Sequence, residues 1–223
     1  MTVSITTQPT STIDQSAGTD SQEADLGPAL ARVVHSQGCE LTLSGSHMTP
    51  SRPGFAGDRG TVEGIAVIDV DEREDGLLHV LESPLPREHG QLVEVSIDRD
   101  RRDRLARTHG ACALVRALLE DRSASVTSTD ITAGMAWMEI DEVTPAIELG
   151  SVAALAIPLR SKPLPSGRML VTCGGVSVMT TIAPIATNTQ QLEGADVRTV
   201  SVDVDGRSVL EITLPDAEGR WWK

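Results

Sequence analysis

The sequence predicts an α+β protein: a small antiparallel β-barrel-like unit followed by an α+β unit that holds a pocket. Three observations carry this expectation. About five short strand-like runs, separated by glycine-bearing turns, come before any helical pattern. One long helical pattern over residues 100–121 then interrupts them. Near the C-terminus, Val197–Val204 and Ser208–Leu214 alternate strictly around Asp205-Gly206, the strongest hairpin signal in the chain and the signature of a type I′ turn. The resulting division is an acidic disordered tail over 1–28, an antiparallel β unit with a Gly-rich loop over 29–97, and an α+β unit over 98–223.

The elements follow in order. Residues 1–26 carry four acids (Asp14, Asp20, Glu23, Asp25), no Lys or Arg, and no apolar period, which reads as disorder. Arg32–Ser36 and Glu40–Leu43 flank Gln37-Gly38 as a hairpin. Gly45–Gly60 is a Gly/Pro-rich loop. Val62–Val70 reads as one strand, Asp71–Gly76 as an acidic turn, Leu77–Glu82 as the return strand and Leu92–Ile97 as a further strand. After the helix, Asp121–Asp130 reads as a surface connection and Met135–Ile140 as a strand or a helix. Pro145–Ala156 can form a helix with Pro145 in its first turn. Arg168–Thr172 reads as a strand leading into Cys173-Gly174-Gly175, whose glycines let the backbone approach a ligand or a neighbouring strand. Trp221 and Trp222 form either a lid on a core edge or a self-association patch, so a homodimer is one expectation.

Composition narrows the function. The 223 residues allow one large domain or two small ones. A net charge of −13 repels a nucleic-acid backbone at long range, so any contact with RNA has to be local. One Phe and no Tyr remove the usual platforms for stacking single-stranded bases and leave the core to Val, Leu, Ile and Ala. No apolar run reaches the ~20 residues of a membrane-spanning helix. No basic-then-apolar leader stands at the N-terminus. Three scattered cysteines (Cys39, Cys112 and Cys173) suit a reducing compartment, giving a cytoplasmic expectation.

The helix carries the chemistry. Leu105, His109, Cys112 and Arg116 share one face, and Ala111, Val115 and Leu118 line an adjacent one. His109 and Cys112, one turn apart, suit a soft metal, or a base beside a thiol. They equally suit a buried imidazole beside a small apolar cysteine. Arg99, Arg101, Arg102, Arg104 and Arg107 alternate with Asp98, Asp100 and Asp103. That pattern reads as a salt-bridged helix start more than as a phosphate contact. Among the remaining histidines (His35, His47, His79 and His89), only His47 lies in the Gly-rich loop.

Three segments, in order, resemble the alanyl-tRNA synthetase editing domain and its free-standing AlaX relatives, over about residues 30 to 215. Gly54–Gly60, GFAGDRG, is similar to the family's Gly-rich loop ending in Gly-Asp-x-Gly. The run from Ile97-Asp98 through Thr108-His109 into ACALVRALLED is similar to the helix with the His-x-x-x-His motif. Cys173-Gly174-Gly175-Val176-Ser177-Val178, followed by TIAPI, is similar to the family's Cys-Gly-Gly-Thr-His-Val. The resemblance implies a fold of the alanyl/threonyl-tRNA synthetase editing-domain type. It also implies hydrolysis of the aminoacyl ester of a mischarged tRNA at a zinc ion held by three His and one Cys. This chain keeps His109 and Cys173, carries Ala113 and Ser177 at the other two ligand positions, and has Phe55 in place of the loop's glutamine.

Three readings stay open. Zinc is held by His109, Cys112 and Cys173 with one open position. Alternatively, His109 deprotonates Cys112 or Cys173 for attack on an acyl ester. In the third reading the domain is a metal-free pseudoenzyme that binds a partner or acts as an accessory protein. The leading expectation is a hydrolase or acyl transferase for aminoacyl-tRNA or aminoacyl esters, with His109, Cys112 and Cys173 catalytic. Phe55, Gly57, Asp58, Gly174, Gly175 and Ser177 would bind substrate. The partner is the acceptor end of an aminoacyl-tRNA or a small amino-acid-derived substrate. An enzyme repurposed for such a small substrate is a further alternative.

Overall fold

A computed structural model describes residues 28–121, 124–141, 159–164, 169–173, 176–180, 192–202 and 207–215. The tail, the helix expected at Pro145–Ala156, Gly174-Gly175, the Asp205-Gly206 turn and Trp221-Trp222 lie outside the described residues.

Six strands close the N-terminal barrel: β1 (Ala29–Gln37), β2 (Glu40–Ser44), β3 (Gly60–Val62), β4 (Ile65–Arg73), β5 (Gly76–Leu81) and β6 (Leu92–Ile97). They run in the spatial order β1-β2-β5-β4-β3-β6, with β6 returning to pair with β1. All the pairs are antiparallel. Alternate residues point inward, so Ala31 and Val33, Leu41 and Leu43, and Val93 and Val95 meet Met48, Val62, Val70 and Leu81 in one apolar core. Register shifts between Val33 and His35 and between Val67 and Asp69 supply the local bends that a small closed sheet needs.

The second unit is built on α1 (Arg99–Asp121). Asp98 caps it: its Oδ1 accepts from Arg101 N at 3.0 Å and its carbonyl from Arg102 N at 3.0 Å. β7 (Val126–Thr132), β8 (Met135–Ile140), β12 (Asp196–Val202) and β13 (Ser208–Thr213) form a sheet in the order β12-β13-β8-β7. β9 (Leu159–Pro163), β10 (Met169–Cys173) and β11 (Val176–Thr180) form another, in the order β11-β10-β9. The helix packs on β7, β8 and β13 of the first sheet and on β11 of the second. Contact with both sheets changes its expected character. From Leu105 to Leu119 every residue except Arg107, Arg116 and Leu118 is buried, so this stretch is a central helix rather than a one-faced one. Ala111, Leu114, Val115 and Leu119 meet Ala136, Met138, Ile140, Leu210 and Ile212 in a second core.

The α+β class with an N-terminal barrel holds, and four local expectations change. The first hairpin turns at Gly38-Cys39, one residue later than expected, with Gly38 at φ 59°. Val62–Val70 is not one strand, because the chain reverses at Glu63-Gly64, where φ is 50° and 79°. Two positive φ values are what a type I′ hairpin turn requires. Glu63 is an unusual residue there. Its N donates to Glu94 O at 2.9 Å and its Oε1 accepts from Glu94 N at 2.7 Å, which offsets the backbone cost. The acidic turn shrinks to Glu74-Asp75, since β4 runs on to Arg73. Asp121–Asp130 is not all surface connection: β7 begins at Val126 and pairs with β8, which settles Met135–Ile140 as strand.

Candidate functional site

The Gly-rich loop between β2 and β3 reaches from the barrel to the helix. Ser51 N donates to Val70 O at 2.7 Å, and Ser51 Oγ bonds Asp69 Oδ1 at 2.5 Å and accepts from Gly57 N at 3.1 Å. Arg52 and Phe55 exchange both backbone bonds, at 2.8 and 2.9 Å. The loop then joins the second unit. Ala56 N donates to Ile131 O at 2.9 Å, and Ile131 N donates to Gly54 O at 3.0 Å. A side chain at Gly54 would run into Thr129 O, one at Gly60 into Ser96 O, and one at Gly57 would meet Ser51 N at 2.5 Å. The glycines of GFAGDRG are therefore demanded by close backbone approach.

Asp58 fastens this loop to α1. Its carboxylate is buried, accepts from Thr49 N at 2.6 Å, and forms an ion pair with Arg102, whose Nε lies 3.2 Å from both oxygens. Arg102 Nη2 also donates to His47 O at 2.8 Å. This arrangement orders the loop that carries Phe55.

His109 lies in the buried middle of α1, 7% exposed. The Phe55 ring meets it edge to face, with centroids 5.8 Å apart and planes at 71°. The preceding residue fixes the helix at this point. Thr108 Oγ1 donates to Arg104 O at 2.7 Å and accepts from Gly134 N at 2.9 Å, tying α1 to the β7–β8 turn. Cys112 is 4% exposed and belongs to the second core. Burial pushes its thiol up to about 12, with the Arg116 guanidinium pulling the other way. At neutral pH that sulfur stays protonated, and a thiol is a poor nucleophile. Ala113, at the second helical ligand position implied by the resemblance, is also core.

Of Cys173 and Ser177 the backbone is described. Cys173 ends β10 and pairs with Val176, and Ser177 in β11 pairs with Thr172. Since α1 packs on β11, the two motif-bearing elements are neighbours. Among the described residues, no three His, Cys, Asp or Glu side chains converge as a metal ion would need. Of the expected set, Cys112 stands among apolar side chains. The donor side chains described around His109 therefore do not by themselves make a zinc centre.

Sequence reasoning placed Arg102 in a salt-bridged helix start but missed its partner Asp58, the role of Thr108 and a cavity of about 150 Å³ bounded by Ala56, Arg59, Arg101, Thr132, Met135 and Trp137. No local signal marks them, because each acts across the join between units. A larger cleft, about 520 Å³, lies on the barrel wall among Thr61, Ile68, Glu82 and Ser96. It shares Arg59 with the smaller cavity, but neither His109 nor Phe55 lines it.

The described residues thus combine a closed antiparallel barrel, a Gly-rich loop that reaches a helix-centred α+β unit, and a histidine under that loop. No protein-family model matches the chain. Over 101 residues, 45% of the chain, it is 33% identical to the alanyl-tRNA editing protein AlaX-M of Pyrococcus horikoshii, of which the match covers 47%. Over 76 residues, 34% of the chain, it is 38% identical to an alanine–tRNA ligase of Methanocella arvoryzae, of which the match covers 9%. These relatives support the AlaX-type alanyl-tRNA editing resemblance read from the motifs. The match spans about half of the first relative and a small part of the second.

Proposed function

We propose that the chain processes aminoacyl esters, acting as a deacylase on the acceptor end of an aminoacyl-tRNA or on a small amino-acid-derived ester. The observation that supports this best is the meeting of the Gly-rich loop with His109, as the Phe55–His109 contact records. An alanyl-tRNA editing protein among the relatives supplies the substrate class. In this reading His109 takes a proton from water as the oxygen attacks the ester carbonyl carbon. It returns that proton to the alcohol oxygen as the C–O bond breaks. Cys173, Gly174, Gly175 and Ser177 are the further candidate residues, from the motif on the strands that follow. Gly57 and Asp58 act by shaping the loop. Phe55 makes the substrate wall beside His109 apolar in place of a polar contact, which is the alteration of the site that we infer.

The test is release of labelled amino acid from a panel of aminoacyl-tRNAs and aminoacyl esters. The wild type should turn over at least one, and His109→Ala should slow it by about 10²-fold, the usual loss with a general base. Equal rates in both proteins would sink the proposal. A second reading, a metal-free binding or accessory protein, is favoured by one specific observation. His109 is buried under the Phe55 ring, whose backbone is bonded to Arg52 and whose neighbours Gly54 and Ala56 are bonded to Ile131. Folded protein without turnover on any ester, together with a partner recovered by its affinity, would select that reading.

A further inference from the structure

The cavity of about 150 Å³ is framed by the elements that frame His109. Ala56 follows Phe55 in the loop. Thr132 and Met135 flank the β7–β8 turn whose Gly134 is held by Thr108. Its polar lining is mainly cationic. Arg59 comes from the loop and is exposed, and Arg101 comes from α1 and is 7% exposed. The Thr132 hydroxyl already donates to Met135 O at 2.9 Å. Trp137 and Met135 supply apolar walls, and among the described residues no acidic side chain lines the space.

We propose that this cavity binds a small apolar monocarboxylate, such as a short-chain acid. Guanidinium groups match a carboxylate in shape and charge, and do so with paired N–H donors. The volume is that of about five waters at ~30 Å³ each, enough for an acid of a few carbons and too small for a nucleotide. A net charge of −13 over the chain opposes a polyanion while leaving a lone carboxylate little penalised. Among the described lining residues no carboxylate pairs with an ammonium group while two guanidinium groups repel it, which disfavours a free zwitterionic amino acid. The inference goes beyond ester processing and does not depend on it, since neither His109 nor Phe55 is among the residues that line the cavity.

Trp137 reports on the site. The chain has three tryptophans, so replacing Trp221 and Trp222 with Phe leaves Trp137 as the sole indole. In that protein, fluorescence is titrated with sodium propionate against sodium chloride at constant ionic strength. A saturable change is expected with propionate, at least tenfold weaker binding with L-alanine, and none with inorganic phosphate. Arg59→Gln, at an exposed position, should keep the circular dichroism spectrum and weaken propionate about tenfold. A non-saturating response, tighter binding of phosphate or alanine than of propionate, or unchanged affinity in the folded Arg59→Gln protein would each overturn the assignment. Ester hydrolysis is not measured, so failure here leaves the deacylase reading standing.

Discussion

Asp58 holds its carboxylate oxygens inside the protein, against Thr49 N and the Arg102 guanidinium. With Asp58 almost fully buried and the Arg102 side chain only 15% exposed, the pair is shielded from solvent. Removing one member leaves the other charge desolvated without its partner. Asp58→Ala should therefore cost about 3 kcal/mol, the low end for a buried pair because Arg102 retains some water. The urea midpoint measures this, and a change within experimental error would show that the pair does not hold the loop. Cys112 gives a second prediction at the same scale. A thiol pushed up to about 12 and buried in the core should resist iodoacetamide at pH 7.5 in the native protein and react once urea unfolds it. Peptide mass spectrometry reads both states. Rapid native modification of Cys112 would restore the thiolate reading.

The loop from Gly45 to Arg59 is the element that joins barrel to helix, and its conformation depends on missing side chains. Gly60→Ala would drive a methyl group into Ser96 O and pry β3 from β6, for a loss of about 1–3 kcal/mol. Thermal melting tests this, and an unchanged midpoint would mean that the backbone gives way at little cost. Elements with strong local signals were legible in the sequence. The strand Leu92–Ile97 and the pairing of the last two strands follow from alternation, and the helix was placed correctly although its burial on nearly every side was not foreseen. The Glu63-Gly64 reversal was not legible, because its first residue lacks the Asn/Asp signal and is held instead by Glu94, a partner far along the chain. The site divides in the same way. His109 and the glycine loop show in the sequence. The Phe55–His109 contact, the Asp58–Arg102 clamp and the arginine-lined cavity need the two units to be brought together first.

At the scale of the molecule the described residues form two hydrophobic cores, and besides Cys112 in the second there is a buried titratable group in the barrel unit. His79, on β5, is fully buried in the barrel unit. Its Nδ1 lies 2.9 Å from Leu77 O, an acceptor only, so Nδ1 carries the proton. Nε2 then accepts from Ser46 Oγ at 2.9 Å, which links the imidazole to the start of the Gly-rich loop. Burial lowers the pKa of His79 below its ordinary 6.5, although the Leu77 and Leu41 carbonyls pull it upward. In the unfolded chain the imidazole takes a proton as pH falls through 6.5, while the folded barrel resists until its lower value is reached. The unfolded state thus binds more protons in that window, and stability is lost as pH drops through it, the full contribution being present only above 6.5. Thermal melts at pH 7.5 and 5.5 should show the barrel losing stability on acidification. Hydrogen exchange should locate the loss in β2, β4 and β5, which surround or carry His79. His79→Gln keeps a polar side chain that does not titrate in this range, so its melting temperature should depend less on pH across the same interval. If the variant keeps the full wild-type slope, the acid sensitivity arises elsewhere. If the slope flattens and exchange in the Gly-rich loop becomes independent of pH, protonation at His79 is transmitted through Ser46 to the loop that covers His109.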